Sequence, residues 1–193
     1  HLGDARAVAP LLEALGATDS GLRRMAATAL GQLGDSRALL PLLESLEDPE
    51  PRVRLQAALT LGESKEPRAV EALGQFAVRY GSDRWMQAAI LSSAAASADR
   101  LLVSILRRTT DPGESRSLAH PLASIVGARH ENEEIGNLLA ALAEIRDDKL
   151  LSLQVACLNG LIEGLKRGKA QVMTSLAGQA GVRRLLLHPP PQV

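Results

Sequence analysis

Aromatic side chains are almost missing from this chain: Phe76, Tyr80 and Trp85 are the whole set in 193 residues. Sheets favour β-branched and aromatic residues. A core of alanine and leucine instead suits helices that approach closely through small side chains. The lone cysteine, Cys157, excludes an internal disulfide and a multi-cysteine metal cage, while leaving the redox compartment open. No apolar run approaches the roughly 18 residues of a membrane span, and no signal peptide is recognisable. An excess of one charge is also lacking, with 22 basic and 22 acidic residues. Counterion release from phosphates usually demands a basic excess of a nucleic-acid binder, so the balance argues against that role, a local patch apart.

What the chain does have is a repeat. Gly3, Asp4, Arg6, Pro10, Leu11, Leu12, Glu13 and Leu15 return 31 residues later as Gly34, Asp35, Arg37, Pro41, Leu42, Leu43, Glu44 and Leu46. Glu66, Pro67, Arg68, Ala69 and Val70 open a third copy, with Arg68 again 31 residues beyond Arg37. Second halves keep the same step: Leu22-Arg23 matches Val53-Arg54, and Leu30-Gly31 matches Leu61-Gly62. The alanine pair Ala26-Ala27 returns as Ala57-Ala58 and Ala88-Ala89.

Each unit reads as two helices. The first starts after an acidic cap (Asp4, Asp35, with Glu66 a poorer one) and should bend at Pro10 or Pro41. The second spans about 22–33, 53–61 and 84–94, its alanines allowing close approach and its glycine ending it. Beyond Asp99 the period drifts. We expect a first helix over 99–108, a polar loop over 109–117, a second helix over 118–128, and a longer pair over 133–145 and 150–166. Gly160 and Gly164, one turn apart, suit tight helix contact. Half a unit follows over 169–177 and 182–187. The layout is regular repeats over 1–94, divergent pairs over 95–187 and a proline-rich linker over 188–193, where Pro189, Pro190 and Pro191 stop any helix. The chain starts at His1 with what looks like the tail of an earlier repeat, as a fragment of a longer protein would; Leu2 should pack as its remnant, leaving 11–15 partly bare.

The pattern Asp48, Val53-Arg54, Ala57-Ala58, Leu61-Gly62 resembles HEAT repeats, of the short kind also found in phycobilisome bilin lyases. The likeness covers 2–94 well and 99–187 loosely. It implies an all-α, armadillo-like, right-handed superhelix of about five helix pairs plus a partial one, first helices convex and second helices concave. The segments 84–94 and 154–165 also resemble the HEAT portion of large exported bacterial proteins, in which a dehydrogenase domain precedes the repeats and a c-type cytochrome follows. That likeness would place the protein outside the cytoplasm. This chain has no Cys-x-x-Cys-His and no strand-rich segment, so any redox parts would lie elsewhere.

Candidate sites for chemistry are weak. His1, His120, His130 and His188 share no helix face, and His130-Glu131 lacks the second histidine of a zinc-protease motif. Cys157 sits among Val155, Ala156, Leu158 and Leu161, as a buried apolar thiol would. Glu131, Glu133 and Glu134 suit a helix start, where carboxylates meet the positive end of the dipole. The basic C-terminal side chains, Lys166, Arg167, Lys169, Arg183 and Arg184, suit helix ends or a binding patch. Arg6, Arg37 and Arg68 could form an anion-binding stripe or pair with Asp4, Asp35 and Glu66; Arg23 and Arg54 pose the same choice. No catalytic, cofactor or metal residue is expected.

Repeat solenoids present long surfaces and rarely carry chemistry. The reading is a non-catalytic interaction or scaffold module whose partner is protein, either a separate chain or another domain of its own polypeptide. Alternatives are a bilin-lyase-like enzyme, which needs a groove lined with aromatics, and a DNA-binding HEAT protein, which needs a basic concave face. In the second helices Val53, Ala57 and Leu61 must face the core. Leu55 and Leu59 then fall on the concave side, and a 31-residue step gives Met86 and Ile90 as their counterparts. These four form a candidate protein-docking strip, unless curvature or the 109–117 loop covers them.

Overall fold

The computed structural model describes residues 5–167, apart from 65 and 95. Ten α-helices and no strand occur among the described residues: α1 (Val8–Leu15), α2 (Ser20–Leu33), α3 (Leu39–Glu44), α4 (Pro51–Gly62), α5 (Pro67–Tyr80), α6 (Arg84–Ser93), α7 (Ala98–Arg108), α8 (Pro112–Arg129), α9 (Asn132–Glu144) and α10 (Leu151–Arg167). Odd and even helices form five pairs. The even ones stack in order, α2 on α4 on α6 on α8 on α10, while α3, α5, α7 and α9 make the second layer. The protein is an all-α solenoid. Expectations for Leu2, Asp4, the helices over 169–187 and the linker over 188–193 fall outside the described residues; Leu11, Leu12 and Leu15 are half-buried against the core.

Both repeated prolines sit more gently than the sequence suggests. A 3-10 turn, Ala5–Ala7 or Ser36–Ala38, precedes each α-helix. Pro10 and Pro41 therefore fall in the first α-helical turn, where a missing N–H forfeits little. The expected loop over 109–117 is also shorter. Asp111 Oδ1 accepts the N–H of Gly113 at 2.9 Å and Pro112 takes the first helical position, so α8 is already under way there.

The core is the seam between layers, built from Val53, Ala57, Ala58, Leu61, Leu73, Ile90 and their equivalents. Glycine sets the spacing where helices touch. A Cβ on Gly160 would lie 2.2 Å from the His120 carbonyl, and one on Gly164 2.2 Å from that of Ser124. The backbones of α8 and α10 are thus in direct contact, as the Gly160 and Gly164 spacing implies.

Candidate functional site: the groove across the second helices

The acidic caps of the even helices define the register. Asp19 accepts the Leu22 N–H at 2.7 Å, Glu50 that of Arg52 at 3.4 Å, and Asp83 those of Trp85 and Met86 at 2.8 and 3.0 Å. The caps fall at 19, 50 and 83, so the step widens from 31 residues to 33. Polar side chains four residues past each cap confirm it. Arg23 donates to the carbonyls of Ala17 and Thr18, Arg54 to those of Asp48 and Pro49, and Gln87 to that of Gly81. Ser115, four past Asp111, meets the Thr109 hydroxyl at 2.9 Å. Each ties its helix to the turn six residues earlier.

That register corrects the docking strip. Met86 occupies the place of Val53 and Ile90 that of Ala57, and they are 4 % and 0 % exposed. Two extra residues before α6 turn them inward. The true counterparts of Leu55 and Leu59 are Ala88 and Ser92, both exposed. Leu55 and Leu59 themselves are half-buried, packed against the edge of the core.

Beside Leu55 lies an apolar group the repeat pattern did not single out. Trp85, in the first turn of α6, is 70 % exposed. It flanks an open groove of about 670 Å³ that Leu55, Gln56, Met86, Arg24 and Arg52 also line. Met25 and Leu22 on α2, in the same layer, are exposed too. Aligning the units by their acidic caps, rather than by a fixed 31-residue step, would have located Trp85 on this face.

Among the described residues several other candidates have local partners, while His1, Lys169, Arg183, Arg184 and His188 lie outside the described residues. Arg37 forks onto Asp35, with both bonds at 2.9 Å; the guanidinium holds that carboxyl down at about 2. Cys157 is buried, and burial pushes its thiol up to about 12, so it is not a thiolate at neutral pH. Glu133 and Glu134 stand in the first turn of α9. Burial, and then the neighbouring Asp99, raise the Glu134 carboxyl, against the lowering effect of Arg129 at 2.8 Å. Lys166 and Arg167 occupy the last turn of α10, where cations meet the negative end of the dipole. His120 faces Glu163 at 3.2 Å. No cluster of three metal-ligating side chains occurs among the described residues, and no helix of the described part is long and apolar enough to cross a membrane.

The family model described as HEAT repeats matches residues 1–50 and 39–123. This chain belongs to the HEAT-repeat family. The match reaches into α8, so the shared pattern continues past the strictly regular units. A search of curated proteins finds no matching relative. HEAT repeats generally mediate contacts between proteins and are typically non-catalytic, and the groove across α2, α4 and α6 sets exposed Trp85 beside exposed charge.

Proposed function

We propose that the chain is a non-catalytic protein-docking module whose contact surface is the groove beside Trp85. The observation that carries this reading is the exposure of the only tryptophan, beside half-buried Leu55 in one groove. A large apolar ring held in water is a cost that a partner surface removes, and tryptophan is a frequent anchor of protein interfaces. Met25 and Leu22 extend the apolar character along the same layer. Leu55 lines this surface with Met86 at its base, Leu59 continues α4 one turn further along, and buried Ile90 takes no part. The partner is a protein surface, either a separate chain or another domain of the same polypeptide. The latter follows the likeness of 84–94 and 154–165 to the HEAT portion of exported dehydrogenase–cytochrome proteins, and its support is those two segments.

The test is a double substitution, Leu55→Glu with Trp85→Ala, in the full-length protein. The helical circular-dichroism signal and the melting curve should hold, because neither side chain is fully buried, while association with the partner is lost. Undiminished association with the fold intact would end this reading.

A further inference from the structure

The charges around the groove say what kind of segment it fits. Arg24 on α2 and Arg52 on α4 line the groove, while Arg84 follows Asp83 at the start of α6 without lining it, and all three are exposed. None of their guanidinium groups is paired with a described residue. This contrasts with Arg23, which is locked to Asp48 and two carbonyls, and with Arg54, which donates to the turn and lies 4.8 Å over the Tyr80 ring. The groove also holds carboxylates, Glu50 and Asp83, but both are turned onto helix N-termini as caps. There they meet the positive end of the helix dipole, which offsets part of their charge. What remains in the groove is Arg24 and Arg52, exposed beside an apolar ring and without a carboxylate partner among the described residues.

Resting on the docking reading above, we infer that the groove binds an acidic, extended segment of a partner protein, with apolar side chains set between its carboxylates. The spacing follows from geometry. Packed helices stand about 8–10 Å apart, and an extended chain advances about 3.3 Å per residue. A segment crossing α2, α4 and α6 therefore presents successive carboxylates to Arg24 and Arg52 when acids recur at every third residue, and the residues beside them reach Leu55 and Trp85. Arginine holds a carboxylate through two parallel hydrogen bonds, and the exposed indole face and leucine supply the apolar contact. A single-stranded nucleic acid would also offer anions and stacking bases, but its continuous phosphate charge would meet Glu50 and Asp83 with no gap to avoid them.

The test uses Trp85 as the reporter, since it is the only tryptophan in the chain. Three synthetic peptides of about twelve residues, long enough to cross three helices, are titrated at low salt: a Glu-Leu-Ser repeat, a Gln-Leu-Ser repeat and a Lys-Leu-Ser repeat, with a single-stranded oligothymidylate as a fourth ligand. The acidic peptide should change the emission and bind about tenfold more tightly than the glutamine peptide, with the gap closing at high salt as the charges are screened. Arg24→Glu with Arg52→Glu, at exposed positions, should erase the gap without changing the melting curve. Equal binding of the acidic and glutamine peptides overturns the acidic-partner inference and leaves the docking reading standing. Stronger binding of the lysine peptide or the oligothymidylate, or no response to any ligand, also overturns the inference. The docking reading is then decided separately by the Leu55→Glu, Trp85→Ala double variant.

Discussion

Arg23 on α2 grips Asp48 of the next unit with two hydrogen bonds, Nε to Oδ2 at 2.7 Å and Nη2 to Oδ1 at 2.9 Å, while Nη1 holds the turn of its own unit. One side chain thereby fixes both the hairpin and the step to the following hairpin. In a solenoid each unit rests on its neighbours, so this pair should contribute to the stability of the whole stack. Asp48→Asn should lower the melting temperature by roughly 3–6 °C. Arg23, together with the Glu50 N–H, holds the Asp48 carboxyl below its ordinary value. A carboxyl lowered in the folded state stabilises above its unfolded value, about 3.9. That contribution is lost as pH falls through the folded value. Melting curves taken from pH 7 down to pH 2 should therefore fall less steeply for Asp48→Asn than for the parent chain; parallel curves would deny the pair its role.

The widened step before α6 makes a sharp contrast between two neighbouring positions. Ile90 is fully buried at the site equivalent to Ala57, whereas Ala88 is exposed. Ile90→Glu should cost about 3–5 kcal/mol, the penalty of an unpaired buried charge, and Ala88→Glu should fall within about 0.5 kcal/mol of the parent. Urea unfolding measures both. A larger cost at Ala88 than at Ile90 would mean that the 31-residue step persists, since that step puts Ala88 at the buried Ala57 site and Ile90 at the half-buried Leu59 site.

Glycines at two places should respond for different reasons. Gly164→Ala drives a methyl against the Ser124 carbonyl on the facing backbone, so α8 and α10 must part, at about 3 kcal/mol. Gly34 ends α2 with φ 64° and has open space around it. Gly34→Ala should cost about 1–2 kcal/mol from the left-handed backbone alone. Chemical denaturation compares them; a Gly164→Ala as mild as Gly34→Ala would show that the helices separate at little cost.

Much of this fold is legible in the sequence because small residues leave few alternatives. Ala57 and Ala58 mark a seam only helices can make, and the 31-residue return of Asp35, Arg37 and Pro41 announces stacked units. The docking strip expected at Leu55, Leu59, Met86 and Ile90 loses its last two members to the core because a fixed period hides an insertion. Hydrophobicity alone cannot distinguish an inward Ile90 from an outward one, whereas the Asp83 cap and the Gln87 bond to the turn can. Trp85 was hidden for a related reason. An aromatic residue in a repeat reads as core unless the rotation of its helix is known, and that rotation is set by where the helix starts.

The most direct test of the docking account is site-specific photo-crosslinking in the full-length protein, in its own cells. A benzoylphenylalanine replaces Trp85 in one variant and Leu40 in another. Leu40 is the fitting control, since it is 57 % exposed but lies on α3, in the other layer. Position 85 should give a discrete cross-linked protein species that disappears when Leu55→Glu is added, and position 40 should give none. No adduct at 85, or equal adducts at both positions, would contradict the account.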